Sequence, residues 1–267
     1  MEIIGYICSI LIGMSLGLIG SGGSILTVPV LVYLMHINPL VATTSSLFIV
    51  GVTSLVGGLR AYNKKAVDFE AVTEFGIPSI FSIFITRHYF LPALPRHFIS
   101  DGHIVVSREM FLMLAFALLM LVAGISMIRS KYVETNPGDV EVARQNRSWA
   151  LVVLGLAIGI ITGLLGAGGG FLIIPTLVLF LKINMKTAVG TSLFIIAINS
   201  LLGFVFSLKQ FDYNWMLLLS FTILSIAGLF IGIRLSNNIP GLRLKQVFGY
   251  FVVLMGLYII LKELILQ

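Results

Sequence analysis

The chain has 267 residues, of which 58% are hydrophobic and only 10% are charged, and its mean hydropathy is +1.07. A water-soluble domain needs a more charged surface, so the composition excludes a soluble globular protein and predicts an all-α polytopic integral membrane protein. The net charge of +6 would suit nucleic-acid binding in a soluble chain, but the cations lie at the ends of apolar segments, which is typical of membrane topology. We therefore expect the lipid bilayer as a partner and no nucleic acid.

Ten apolar segments follow one another along the chain, and many approach the roughly 20 residues that a helix needs to cross a bilayer. We interpret the first as a retained membrane segment rather than a signal peptide, because it follows Glu2 instead of a cationic cluster. In chain order, the segments are predicted at 3–19, 25–35, 40–59, 69–91, 110–128, 150–165, 171–181, 188–208, 215–233 and 247–266.

The stretch GLIGSGGSILTVP at 17–29 recurs 146 positions later as GLLGAGGGFLIIP at 163–175. From 17 to 49, 16 of 33 positions are identical to their counterparts at that offset, more than shared apolar composition would give. We therefore predict a duplicated unit. The first membrane repeat is expected at 1–130, a polar linker at 131–147 and the second membrane repeat at 148–267.

Each repeat opens with two apolar segments separated by glycines. As one straight helix, the pair would be about 52 Å long, too long for an ordinary span, so we expect a re-entrant hairpin followed by three transmembrane helices. This arrangement places 12 Lys and Arg residues on one face and 5 on the other, whereas treating each pair as a single span gives 9 against 8. The positive-inside rule then favours inverted repeats, with both termini outside and the 131–147 linker in the cytoplasm.

The glycines interrupt otherwise apolar helices. A non-helical backbone at membrane depth is tolerated only where it is buried in protein or lines a watery cavity. We therefore expect GSGGS and GAGGG to face a central site, with short helices beginning near Ser24 and Gly170 whose N-termini carry partial positive charge. The alternative is close helix packing through small residues. A dinucleotide or phosphate loop is excluded because no P-loop lysine and no suitably spaced acidic residue follows.

Acidic residues are absent from both glycine-containing regions: none lies between Glu2 and Asp68 or between Glu141 and Asp212. Cation pathways and proton relays normally use carboxylates within the membrane. The absence of acidic residues around the two glycine motifs therefore favours a negatively charged substrate.

Asn38 and Asn184 are predicted N-caps, and each is soon followed by a run of hydroxyl side chains, TTSSLF or VGTSLF. These hydroxyls can donate to an oxyanion or bond back to their own helix carbonyls. The predicted substrate-binding residues are Gly20, Ser21, Gly22, Gly23, Ser24, Ser45, Ser46, Gly166, Ala167, Gly168, Gly169, Gly170, Thr191 and Ser192.

Four further charged residues have two interpretations each. Glu70 and Glu74 could carry a coupling proton, although an interfacial position is the simpler explanation. Arg87 and Arg234 end corresponding helices of the two halves and could steer anions, although snorkelling at a helix end is simpler.

No metal or cofactor site is expected. His88, His97 and His103 do not have the spacing of a zinc site, and a single cysteine, Cys8, allows no internal disulfide. No nucleophile with a paired base is evident, which argues against an enzyme.

The duplicated pattern GxxGxGGSxLxVPxL, with SSLF in the helix that follows and GLLGAGGGFLIIPTL as the second copy, resembles the sulfite exporter TauE/SafE family, also called the toluene sulfonate uptake permease family. The resemblance covers essentially the whole chain. It implies a multi-pass permease of the inner membrane for a small inorganic or organic sulfur anion. Relatives that take up thiosulfate are thought to use cysteines along the path, but Cys8 lies outside the motif.

The leading hypothesis is export of sulfite or an organosulfonate by alternating access. Proton-coupled uptake of a sulfonate or small carboxylate and a gated anion channel are the alternatives. The sequence predicts no oligomeric state.

Overall fold

The computed structural model describes residues 2–20, 23–95, 97–101, 104–129, 148–181, 183–236 and 241–265. The predicted linker at 131–147, together with Ser21, Gly22 and His103, lies outside these residues. Ten helices are named in the described chain: α1 (Glu2–Ile19), α2 (Ser24–Pro29), α3 (Pro39–Asn63), α4 (Phe69–Ile85), α5 (Arg108–Arg129), α6 (Ser148–Leu165), α7 (Gly170–Leu181), α8 (Met185–Ser207), α9 (Trp215–Leu235) and α10 (Gly241–Ile265).

The helical membrane fold predicted from the sequence is confirmed. Each predicted segment corresponds to one helix, and six helices of the described chain are long and apolar enough to span a membrane. Two helices widen into π-helical turns: α2 continues through Val30–Leu34, and α4 continues through Thr86–Phe90 and a last turn at Leu91–Ala93. Pro29, directly before the first of these turns, has no N–H to donate, which disfavours regular α-helical bonding there.

A short antiparallel hairpin lies between α4 and α5, in the stretch between the predicted segments 69–91 and 110–128. Its strands are β1 (His97–Asp101) and β2 (Ile104–Ser107), and Asp101 pairs with Ile104. The β-branched run of Ile104, Val105 and Val106 favours a strand.

A polar side chain caps each of α3, α4, α8 and α9. The carbonyl or carboxylate oxygen accepts a hydrogen bond from a backbone N–H in the first turn, which would otherwise lack a partner. The predicted caps Asn38 and Asn184 are confirmed. The four bonds join Asn38 to Leu40 N at 2.9 Å, Asp68 to Ala71 N at 3.1 Å, Asn184 to Thr187 N at 2.9 Å and Asn214 to Leu217 N at 3.1 Å.

The two central helices, α3 and α8, occupy corresponding positions in the two halves and pack against each other. Among the six long helices they are the most enclosed, with 72% of the apolar stretch of α3 and 61% of that of α8 buried. Gly51 faces Leu201 and Gly58 faces Phe194, so residue numbers rise along one helix and fall along the other. The corresponding helices are therefore antiparallel. The pair α5 and α10 has the same sense, with Gly124 facing Gly249 and Leu121 facing Gly256.

Each half also packs its first helix against the fourth helix of the other half. Helix α1 lies along α9 and α6 lies along α4, and the two helices of each pair are parallel. Small residues allow the backbones to approach closely. The contacts include Gly13 with Ser225, Gly17 with Leu229, Gly155 with Phe75 and Gly163 with Thr86. The two halves are thus interlocked around α3 and α8.

Candidate functional site

Two glycine loops separate α1 from α2 and α6 from α7; Gly20 and Gly23 are the described residues of the first loop, and 166–169 form the second. Helices α2 and α7 begin directly after them at Ser24 and Gly170, as the sequence predicted. Left-handed backbone angles explain the need for glycine, since side chains rarely adopt them. The positive φ angles are +80° at Gly20, +67° at Gly166, +66° at Gly168 and +69° at Gly169.

Gly168 brings the second loop to the middle of the central helix pair. A Cβ at this position would lie 3.0 Å from Val50 Cγ1, 3.2 Å from Ser200 Oγ and 3.3 Å from Ile196 Cγ2. Val50 lies near the middle of α3 and Ser200 lies in α8. Position 168 therefore accommodates glycine, whereas a side chain there would press against these neighbouring groups.

Two of the predicted site hydroxyls hold the glycine loops. Ser46 Oγ donates to the carbonyl of Gly166 at 3.0 Å, and Ser192 Oγ donates to the carbonyl of Gly20 at 3.4 Å and to Val189 O at 2.9 Å. Ser46 and Ser192 are 146 positions apart, as are Gly20 and Gly166. Each central helix thus contacts the glycine loop of the opposite half.

The other two predicted hydroxyls lie apart from each other. Ser45 lines a cavity of about 530 Å³ together with Asp212 and Asn214, whereas Thr191 Oγ1 accepts a hydrogen bond from Asp68 N at 2.9 Å. Because α3 and α8 are antiparallel, residues 45–46 and 191–192 lie at opposite ends of the central pair. The remaining described positions of the predicted set, including Ala167 and Ser24, are buried at the two loops.

Two serines that the sequence analysis did not select lie in the middle of the central helices. Ser54 and Ser200 are fully buried, and neither Oγ has a hydrogen-bond partner in the described chain. They are 146 positions apart, and Ser54 lies one turn from Val50 on the same side of α3. The repeat offset was the sequence signal that could have identified them.

Arg87 is wholly buried, with 0% exposure, in the π-helical turn that extends α4. Snorkelling at a helix end, the simpler explanation from the sequence, is therefore wrong for Arg87, whereas Arg234 is exposed. Arg87 Nη1 donates to Thr44 Oγ1 at 2.8 Å. Its Nε and Nη2 have no hydrogen-bond partner among the described residues.

A tyrosine in the loop between α8 and α9 adds a further polar group near Arg87. Tyr213 OH donates to Ser207 O at 2.9 Å, and burial raises the pKa of its hydroxyl, which also interacts electrostatically with Arg87. Tyr213 is therefore protonated at neutral pH.

The possible coupling carboxylates lie at the start of α4. Glu70 is exposed and Glu74 is half-buried. Within the described ranges, no three His, Cys, Asp or Glu side chains lie close enough together to hold a metal ion.

Comparison with known proteins identifies the family. The family model described as sulfite exporter TauE/SafE matches residues 6–259. A probable membrane transporter protein of Xylella fastidiosa is 26% identical over 260 residues, covering 95% of this chain and 92% of the relative. Probable membrane transporter proteins of Bacillus subtilis and Methanocaldococcus jannaschii are 24% and 25% identical, covering 88% and 94% of this chain and 91% and 94% of the relatives. No solved structure matches the chain significantly.

The family model spans nearly the whole chain, and the helices of the described part form a multi-pass membrane fold around two glycine loops. The chain belongs to the sulfite exporter TauE/SafE family of membrane transporters.

Proposed function

We propose that the protein exports a small sulfur oxyanion, sulfite or an organosulfonate, across the inner membrane by alternating access. The observation that carries the proposal is the position of Gly168 beside the buried hydroxyl of Ser200, which has no partner in the described chain. Ser54 supplies a second such hydroxyl from the other central helix. A buried donor without a partner costs free energy, and a bound oxyanion would satisfy it.

The charge distribution around this position supports an anion. Helix α7 has 12 residues and begins at Gly170, so its free N–H groups supply partial positive charge next to Gly168. The helices α1–α3 and α6–α8 contain no acidic residue after Glu2. Backbone and hydroxyl donors carry only partial charges, so they replace the hydration of an anion without holding it as tightly as a buried cation would.

Export fits the membrane potential. An anion that leaves an electrically negative cytoplasm gains about 2.3 kcal/mol per charge for each 100 mV. Export therefore needs no coupled ion, and the protein acts as a transporter rather than an enzyme.

Alternating access requires two related halves. We propose that 1–130 and 148–267 are inverted membrane repeats, with both termini outside and the 131–147 linker in the cytoplasm. The antiparallel contact of α3 with α8 and of α5 with α10 supports this, because parallel repeats would place corresponding helices in the same direction. The predicted substrate-binding glycines and hydroxyls would then line or brace the pathway between the halves.

Flux measurements in proteoliposomes test the proposed substrate and direction. Purified protein is reconstituted with radiolabelled sulfite, taurine, sulfoacetate or lactate, and a negative internal potential is imposed. We expect faster efflux of a sulfur anion than of lactate, with the rate increasing as the potential becomes more negative. If no sulfur anion moves or competes, the substrate assignment is wrong.

The same assay separates the alternatives. Accumulation that requires an inward proton gradient, and that is lost in Glu74→Gln while exchange is retained, would indicate proton-coupled uptake. Single-channel currents above transporter turnover would indicate a gated anion channel.

A further inference from the structure

We propose that Arg87 forms a second oxyanion-binding site, separate from the glycine loops, at the end of the central helix pair where α3 begins. The inference rests on the proposed anion transport, because the ligand is taken to be the transported oxyanion. Its starting point is a cation with no exposed surface inside a segment that spans Phe69–Ala93. Ionisable side chains within membrane segments are costly and usually functional.

Among the described residues, the hydrogen bonds of Arg87 give its charge no counterion. Its Nη1 donates to the neutral hydroxyl of Thr44 at 2.8 Å, and no carboxylate of the described chain accepts a hydrogen bond from the guanidinium. Arginine stays protonated in proteins. A buried charge without a charged partner is strongly unfavourable, so an anion would stabilise this site.

The free nitrogens define the shape of the ligand. Nε and Nη2, the two nitrogens with no hydrogen-bond partner in the part of the chain that the structure describes, lie along one edge of the planar guanidinium. Their N–H bonds form the fork that matches two oxygens of one carboxylate or phosphate group in a bidentate contact. A sulfonate or sulfite presents two oxygens in a similar way, whereas a halide offers one centre.

The surrounding groups fix the guanidinium in place. Thr44 Oγ1 donates to Leu40 O at 3.2 Å while it accepts from Arg87 Nη1. Gln210 Nε2 donates to Arg87 O at 3.3 Å. The π-helical turn Thr86–Phe90 changes the register of α4 at this point, and such turns occur frequently at functional sites. Arg87 is therefore held in position before any ligand arrives.

The site has no counterpart in the second half. At the 146-residue offset, Ile233 corresponds to Arg87 and Gly190 corresponds to Thr44. The cavity of about 530 Å³ lined by Ser45 lies at the same end of α3 as Thr44. In the proposed topology this is the outer end, so an exported anion would occupy the Arg87 site after the glycine loops and before release.

Anion binding can be measured without transport through a tryptophan close to the site. The chain has two tryptophans, and the ring of Trp215 lies 6.2 Å from that of Tyr213. A Trp149→Phe background leaves Trp215 as the single reporter. Purified protein in detergent is titrated with methanesulfonate or sulfite, with chloride as the ionic-strength control.

Two substitutions of Arg87 test the fork and the charge separately. We expect Arg87→Gln to weaken binding at least ~10-fold, consistent with loss of a charge-assisted contact, and Arg87→Lys to restore part of the affinity. The matched control is Arg234→Gln at the exposed end of α9, which should bind like the background. Unchanged affinity in a folded Arg87→Gln protein overturns the proposal.

A further variant and a lipid titration complete the test. Thr44→Val keeps Arg87 but removes the hydroxyl that orients it, so we expect weaker binding even if Arg87 variants fail to fold. Saturation by a short-chain phosphatidylglycerol but not by methanesulfonate would identify a lipid headgroup as the ligand and overturn the transported-anion assignment. If Thr44→Val shows normal flux and unchanged binding, the Arg87 site is overturned and the proposed transport is not. If the Trp149→Phe background protein binds the anion but shows no flux, the proposed transport is overturned and the Arg87 site is not.

Discussion

Serine side chains in the central helices occupy two kinds of environment. Ser46 and Ser192 donate to carbonyls of the glycine loops, so they connect the two halves. Ser54 and Ser200 are equally buried but have no hydrogen-bond partner within the described chain. The first pair therefore contributes to stability, and the second pair is the one that we propose to contact the anion.

Substitution of these serines should separate stability from affinity. Ser46→Ala leaves the Gly166 carbonyl without its donor and should lower the free energy of unfolding by about 1 kcal/mol. Ser200→Ala and Ser54→Ala remove hydroxyls that have no partner among the described residues, so stability should be unchanged or higher while the half-saturation concentration for transport rises several-fold. Thermal unfolding and flux on the same preparations measure both. A loss of stability in Ser200→Ala with unchanged half-saturation would indicate a structural role.

Gly168 allows a second prediction for a single residue. Alanine at a φ of +66° costs about 1–3 kcal/mol of backbone strain, and its Cβ would also displace Val50 or Ser200. We therefore expect Gly168→Ala to reduce flux at least ~10-fold. That factor corresponds to ~1.4 kcal/mol of lost binding free energy. The matched control is Gly76→Ala in α4, where the added Cβ would meet only Val72 Cγ1 at 4.0 Å. Wild-type flux in a stably inserted Gly168→Ala protein would contradict a role for this loop in transport.

Helices α1 and α9 are paired mainly by small residues, with one hydrogen bond between them from Ser225 Oγ to Ser9 O at 3.1 Å. Gly13 and Gly17 of α1 lie against Ser225, Leu229 and Gly232 of α9. Since lipid tails are as apolar as leucine, close van der Waals contact is a main source of stability for such a pair. The first helix of each half therefore depends on the other half for its position.

Enlarging one of these small residues should separate α1 from α9. A Cβ at Gly228 would collide with the carbonyl of Ile10 and lie 3.0 Å from Met14 N, so Gly228→Leu should destabilise the protein by more than the ~1–3 kcal/mol of ordinary overpacking. Ala227→Leu, at an exposed position of the same helix, is the control. Size-exclusion profiles and thermal unfolding in detergent report the difference. Equal stability of the two variants would contradict the tight contact.

At the scale of the whole molecule, the direction of corresponding helices distinguishes inverted from parallel repeats. Helix α3 begins with Pro39 after an Asn cap and α8 begins at the equivalent Met185, yet the two helices cross in opposite directions. When corresponding helices of two repeats run in opposite directions, one repeat is turned over in the membrane relative to the other.

Cysteine labelling tests this orientation directly. Asn63 and Lys209 are 146 positions apart and both are exposed. In a Cys8→Ser background, a membrane-impermeant maleimide added to intact cells should label Lys209→Cys strongly and Asn63→Cys only after permeabilisation. Labelling of both from the same side would contradict the inverted repeats.

The sequence alone determined the helices and the starts of the broken segments, and it predicted the duplication. Hydropathy, N-cap residues and glycine breaks are local properties, so Asn38, Asn184, Ser24 and Gly170 could be placed without a structure. The β-hairpin after α4 was missed because its strands are short and lie outside the membrane pattern.

Only the tertiary structure decided which polar groups are satisfied and which are free. Nothing local to Arg87 distinguishes it from Arg234, yet packing from Thr44 and the loop containing Tyr213 encloses one and leaves the other exposed. Likewise, Ser46 and Ser54 differ because the described part of the opposite half supplies a carbonyl to Ser46 and no hydrogen-bond partner to Ser54. Hydrogen-bond partners far apart in sequence are set by how helices pair, which the pattern of one helix does not encode.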